Sequence, residues 1–180
     1  MERLQTVSLI IGLLKRLRKK GSWCGETHLQ KSIYFLQVLT DVPMGFDFIL
    51  YKHGPFSFDL RDELTAMRAD RLIEHVFQPA PYGPSLRTTK SGNYVYEHFP
   101  VTLKKYSSKL DFVADSLGDK GVGELERMGT ALYVMQEKPD ANIRTNAEYI
   151  HELKPHVSVQ DALLALREVK RMKNEFHSYS

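Results

Sequence analysis

The chain of 180 residues contains a single cysteine, Cys24. That excludes an internal disulfide and suits a reducing compartment. No apolar run approaches the ~20 residues that a membrane-spanning helix needs. The apolar stretch from Leu4 to Leu17 is interrupted by Lys15 and Arg16, and no small-residue cleavage site follows it. It reads as a helix rather than a secretory signal, and the expected location is the cytoplasm. A glycine-rich phosphate loop is missing as well. Gly118 to Gly123 is not followed by Lys and Ser or Thr, and no G-x-G-x-x-G follows a strand pattern. Without internal repeats, low-complexity stretches or a Gly/Ser linker, a single domain over 1–180 is expected, falling into two stretches, 1–100 and 101–180.

Strong net charge is also absent: the formal value is +3. Its distribution says more. Residues 1–31 carry +5, residues 32–100 carry −2, and residues 101–180 balance at 0. The excess is the run Lys15-Arg16-Leu17-Arg18-Lys19-Lys20. Such a cluster can touch phosphate, and it can equally be a solvated helix end whose cations face the C-terminal dipole.

What the sequence does contain is hydrophobic periodicity. Leu4, Val7, Ile11 and Leu14, widened by Ile10 and Leu17, form a helical stripe that ends at Gly21. Thr27 can cap a second helix with Leu29, Ile33 and Leu36 on its apolar face. Phe46 to Tyr51 reads as an extended segment, and Gly54-Pro55 as a turn. Ser57 is a candidate N-cap for a helix to about Ala69, with Asp59, Asp62 and Glu63 in its first turns. Leu72 to Phe77 and Ser85 to Thr89 read as two strands around a loop containing Pro79, Pro81, Gly83 and Pro84. A helix near Asn93 to His98 follows. Two helices, a hairpin and a further helix are the components of a winged helix.

The remainder reads as a helical bundle. Leu103, Tyr106, Leu110, Val113 and Leu117 keep helical spacing, as do Leu125, Met128, Leu132 and Met135. Thr145 opens a capping box for a short helix, and Ser158 opens the last one, whose stripe is Ala162, Ala165, Val169, Met172 and Phe176. That stripe packs on the core or on a second copy of the chain. The fold class expected is mainly α (α+β): a winged-helix-like N-terminal region with a short β-hairpin, then a C-terminal helical bundle.

Candidate chemistry is sparse. Cys24 and His28 have a metal-compatible spacing, but zinc requires four ligands and no second pair lies near. Nothing around Cys24 suggests an activated thiol. No catalytic residue, metal or cofactor is expected. Two surfaces remain. The aromatic segment with Tyr51, His53, Pro55 and Phe56 can anchor a partner or pack under its own turn. A DNA-binding surface would use Arg61, Arg68, Arg71, Arg87 and Lys90, on the third helix and the wing. Against that use, Asp59, Asp62 and Glu63 on the same helix repel phosphate.

Leu29-Gln30-Lys31 followed by Tyr34-Phe35, then Tyr51-Lys52-His53-Gly54-Pro55-Phe56-Ser57, then Leu60, Leu64 and Leu72-Ile73, resembles the SocA-like antitoxin family, also called Panacea domains. The closer resemblance within that pattern is to the YwgA-like bacterial proteins. The likeness covers roughly Leu4 to Tyr96. It implies a winged-helix-like, α-rich fold and a non-enzymatic protein that acts by binding proteins, a toxin or a regulatory target. By position it implies Lys31, Tyr34, His53, Gly54 and Pro55 as pattern residues, and with Tyr51 and Phe56 they make the expected partner-binding set. One departure is Phe56-Ser57 after Gly54-Pro55, where antitoxin-like members more often carry an aliphatic residue. DNA is the alternative partner, no membrane contact is expected, and a homodimer through the C-terminal helix is the expected mode of any self-association.

Overall fold

Helical periodicity over most of the sequence, broken by two short β-branched and aromatic stretches, yields a mainly α fold with two antiparallel strand pairs. The computed structural model describes residues 1–77, 79 and 83–179, the side chain of 179 excepted. Gln78, Ala80, Pro81 and Tyr82, in the expected loop, lie outside the described residues. The chain divides into two units: Met1–Phe48 with Ser57–Lys120, and Ile49–Phe56 with Gly121–Ser180. The division expected at residue 100 thus lies at Lys120, and residues 49–56 group with the second unit.

In the first unit, α1 (Arg3–Lys19) packs against α2 (Glu26–Thr40), α4 (Lys90–His98), α5 (Pro100–Leu117) and strand β4 (Ser85–Thr88). Neighbours on so many sides bury more than one stripe. Leu9 and Leu13 are as fully covered as Val7, Ile11 and Leu14, while Leu4 is exposed. Each such Leu or Ile contributes about 1.5–3 kcal/mol on burial. Gly21, at φ +89, follows the helix end as expected. The start of α2 differs from expectation: the N-cap is Gly25, ahead of Thr27.

Helix α3 (Phe58–Ala69) starts where Ser57 predicts, its hydroxyl accepting from Leu60 N–H at 3.2 Å. Strands β3 (Ile73–Val76) and β4 pair antiparallel, Ile73 opposite Thr88 and Val76 opposite Ser85. An isolated bridge between Gly25 and Ser85 adds one residue of a third strand, and Leu86 N–H donates to the Cys24 carbonyl at 2.9 Å. In chain order the first unit thus contains α1, the bridge residue, α2, α3, β3, β4, α4 and α5, with residues 49–56 belonging to the other unit between α2 and α3.

Two glutamines of α2, seven residues apart, act as main-chain partners for the segments on either side of residues 49–56. Gln30 is fully buried. Its amide donates to the Ser57 carbonyl at 2.9 Å and accepts from Ser57 N–H at 3.1 Å. Gln37 repeats the pattern on Phe46, at 2.8 and 3.0 Å. Each pair reproduces a strand-like exchange of bonds where no strand is available, which satisfies main-chain groups that would otherwise be costly to bury.

In the second unit, α6 (Val122–Glu137), α7 (Ile143–Leu153) and α8 (Val159–Tyr179) form a bundle, with strand β2 (Gly54–Phe56) against α6. The α7 cap is Asn142, accepting from Thr145 N–H at 2.9 Å, rather than Thr145 itself. Ser158 caps α8 as expected, through Asp161 N–H. The α8 stripe Ala162, Ala165, Val169, Met172 and Phe176 is buried, with α6 and α7 as its packing neighbours. Of the two coverings expected for this stripe, the core of its own unit supplies one. Among the described residues no helix is long and apolar enough to cross a membrane.

Candidate functional site

Strand β1 (Ile49–Tyr51) pairs antiparallel with β2, Ile49 opposite Phe56 and Tyr51 opposite Gly54. The turn is therefore Lys52-His53, not Gly54-Pro55 as the sequence suggests. Gly54 stands at φ +83, a conformation that glycine takes without the steric cost of a Cβ, and so closes the hairpin. Gly54 and Pro55 are buried, and Phe56 is half-buried with its ring centroid 5.8 Å from that of Tyr51. Strand alternation sends Ile49 and Tyr51 outward, 47% and 53% exposed.

The hairpin is held by side chains from elsewhere in its unit. Lys154, the C-cap of α7, is 7% exposed, and its ammonium donates to the carbonyls of both Tyr51 and Lys52 at 2.5 Å. Burial lowers its pKa, while Glu126 opposes that shift. Tyr133 of α6 bonds the main chain of Leu50, and burial is the largest cause of its raised phenol pKa. Glu126, largely covered, takes His53 Nδ1 at 3.4 Å on one carboxylate oxygen and His156 Nε2 at 3.2 Å on the other. The result is a turn fixed from below, displaying Tyr51, Ile49 and His53 to solvent.

Of the expected partner-binding set, the hairpin brings together Tyr51, His53, Gly54, Pro55 and Phe56. Lys31 and Tyr34 do not belong on a surface: each is 1% exposed in the first unit. Tyr34 packs its ring 5.0 Å from Phe48 and edge-on to Phe35. Their place is structural because α2 is enclosed on nearly every side. Sequence reasoning missed Lys154, Glu126, Tyr133 and His156. A lysine just before Pro155 signals only a helix end, and nothing local marks it as buried.

The alternative cations lie on the first unit. Arg61 pairs with Asp62 at 2.9 Å, with its guanidinium over the Phe58 ring. Arg87 pairs across the strands with Glu74 at 2.7 Å. Arg68 lies against the His75 ring nitrogens and donates to Thr65 at 3.1 Å. Arg71 and Lys90 are exposed. Part of the basic run near the end of α1 is drawn onto its helical neighbours: on α5, Arg16 meets Asp111 at 2.6 Å and Lys20 meets Asp115 at 2.7 Å, and on α4, Lys15 donates to Asn93 at 2.9 Å. Cys24 is fully buried and its thiol is pushed up to about 12 by desolvation, so it is not a thiolate at neutral pH. His28 bonds Ser22 rather than Cys24. No protein-family model matches the chain, and no curated protein matches it.

Proposed function

We propose that this protein is a non-enzymatic, cytoplasmic binding module that docks a protein partner on its β1–β2 hairpin. The carrying observation is the Lys154 bond pair beneath a turn whose outer face offers Tyr51 and Ile49. A rigid aromatic anchor loses little entropy on binding, which is how a few residues come to carry most of an interface's affinity. The resemblance to SocA-like antitoxins favours a toxin or a regulatory protein as that partner. The test is affinity capture on immobilised wild type, with Tyr51→Ser and His53→Ala in parallel. This reading expects one protein that wild type retains, that Tyr51→Ser loses and that His53→Ala holds more weakly. Equal retention by all three removes the hairpin as the docking surface.

A second reading, a winged-helix regulator that contacts DNA, is favoured by the element order of the first unit with its Gly25–Ser85 bridge. Asp59 and Asp62 on the exposed face of α3 count against it, and so does the pairing of Arg16 and Lys20 with α5. Anisotropy of a labelled random duplex at low and moderate salt decides. Submicromolar binding with a steep salt slope would favour DNA.

A further inference from the structure

Three cations that the hairpin reading leaves unused converge on one cleft of the first unit. The cleft has a volume of about 590 Å³, and its lining includes Arg68, Arg71, His75, Phe77, Lys90 and Glu74. Elsewhere in this unit several cations meet carboxylates (Arg3 on Glu63 and Asp70, Arg16 on Asp111, Lys20 on Asp115), and others meet carbonyl or amide oxygens, as Arg18 does on Leu86 and Lys15 on Asn93. Glu74, the acid in the lining, is engaged by Arg87. Among the described residues, Arg68, Arg71 and Lys90 have no such carboxylate pairing. Arg68 is propped instead by Thr65 and the His75 ring.

Two features of the backbone add to this. Arg71 sits at φ +57 just past the end of α3, where Leu72 N–H closes the helix on the Met67 carbonyl at 2.8 Å. That is a position where glycine is favoured and a side chain is strained, yet it carries an arginine. Beside it, α4 begins. Thr89 caps that helix through Gly92 N–H, and the first-turn amides at Lys90 and Ser91 are ones a helix leaves without an internal acceptor. Gly92 permits the approach, since a Cβ there would lie 2.0 Å from the Leu72 carbonyl oxygen. Helix dipole and side-chain cations thus act in the same place. Phe77, 80% exposed, gives the rim an aromatic face.

We propose that this cleft binds the phosphate of a small phosphate monoester, a nucleoside monophosphate being the class that places phosphate on Arg68, Arg71 and Lys90 and a flat base on Phe77. The cleft opens widely to solvent, so charge rather than enclosure would hold the phosphate there. Three cations gathered in one cleft suit one phosphate group, whereas a duplex backbone calls for a row of them.

The test is calorimetric titration of the full chain with adenosine monophosphate, and separately with adenosine, inorganic phosphate and a single-stranded oligonucleotide. The monophosphate should bind saturably and more weakly as salt rises, and adenosine about tenfold less tightly or worse. Lys90→Glu and Arg71→Gly should each weaken binding by about tenfold. Arg71→Gly should melt at or above the wild-type temperature, because glycine is at ease at φ +57, so its loss of binding is not a loss of fold. Tyr51→Ser should leave the affinity unchanged, which separates this site from the hairpin. The proposal is overturned if neither the monophosphate nor inorganic phosphate gives saturable heat, or if both variants bind like wild type. An oligonucleotide bound about tenfold more tightly than the monophosphate, and lost in the same variants, overturns the free nucleotide as the occupant.

Discussion

Lys154 donates its ammonium hydrogens to the carbonyl oxygen of Tyr51, 103 residues earlier in the chain, and to that of Lys52 beside it. A buried cation that satisfies two turn carbonyls at once fixes the hairpin's shape from beneath. Replacing it with methionine keeps the apolar stem and removes the donor. Lys154→Met should destabilise the protein by about 1–3 kcal/mol, because acceptors lose a charged partner. Chemical denaturation measures it, and a midpoint equal to wild type would show that the clamp contributes nothing.

Gln30 provides a second long-range clamp, on both main-chain groups of Ser57. Gln30→Leu preserves volume and leaves a buried N–H and C=O without their partner. A loss of roughly 2–4 kcal/mol is expected from two unsatisfied groups. Gln37→Leu, which removes a half-buried glutamine from the Phe46 main chain, should cost less than Gln30→Leu in the same denaturation experiment.

Gly54 closes the hairpin at φ +83. Gly54→Val places a β-branched residue where left-handed backbone is strained, and about 1–3 kcal/mol of stability should be lost. A melting temperature within error of wild type would mean that the turn tolerates any residue.

His28 predicts a pH dependence. Burial lowers its pKa from the ordinary 6.5, so the folded state holds the neutral ring. The unfolded chain binds the proton more readily. Stability from this group is therefore complete above the ordinary value and is lost as pH falls through it toward the lower folded value. Melting temperature should fall on acidification from about pH 7.5 to about pH 5.5. His28→Gln should flatten that slope, and an unchanged slope would assign the acid sensitivity to other groups. His75, whose pKa burial and Arg68 also lower, contributes in the same direction.

Local signals were legible where one short segment decides the outcome. Ser57 caps α3, Gly21 follows α1, and the stripe from Leu103 to Leu117 is a buried helix face, as spacing alone predicts. Where two local rules competed, the sequence misled. Gly54-Pro55 has turn chemistry, but strand pairing makes it the returning strand and moves the turn to Lys52-His53. Asn142 and Thr145 are both good caps three residues apart, and the earlier one wins. The candidate site depended on contacts that no window contains. Lys154 reaches Tyr51 across 103 positions and Arg16 reaches Asp111 across 95. The first contact builds the hairpin surface, and the second neutralises some of the basic run that a sequence reading leaves available for phosphate. Lys31 is the clearest case: lysine on an apolar helix reads as an outward residue, and only the elements around α2 bury it.

If the hairpin face docks a protein partner, that partner lies within crosslinking reach of position 51. A photo-crosslinking residue, benzoylphenylalanine, in place of Tyr51 tests it directly in the native host, with the same residue in place of Tyr94, exposed on the first unit, as the comparison. A discrete crosslinked protein from position 51, missing from position 94, is the result this account predicts. No crosslink from position 51, or the same pattern from both positions, would contradict it.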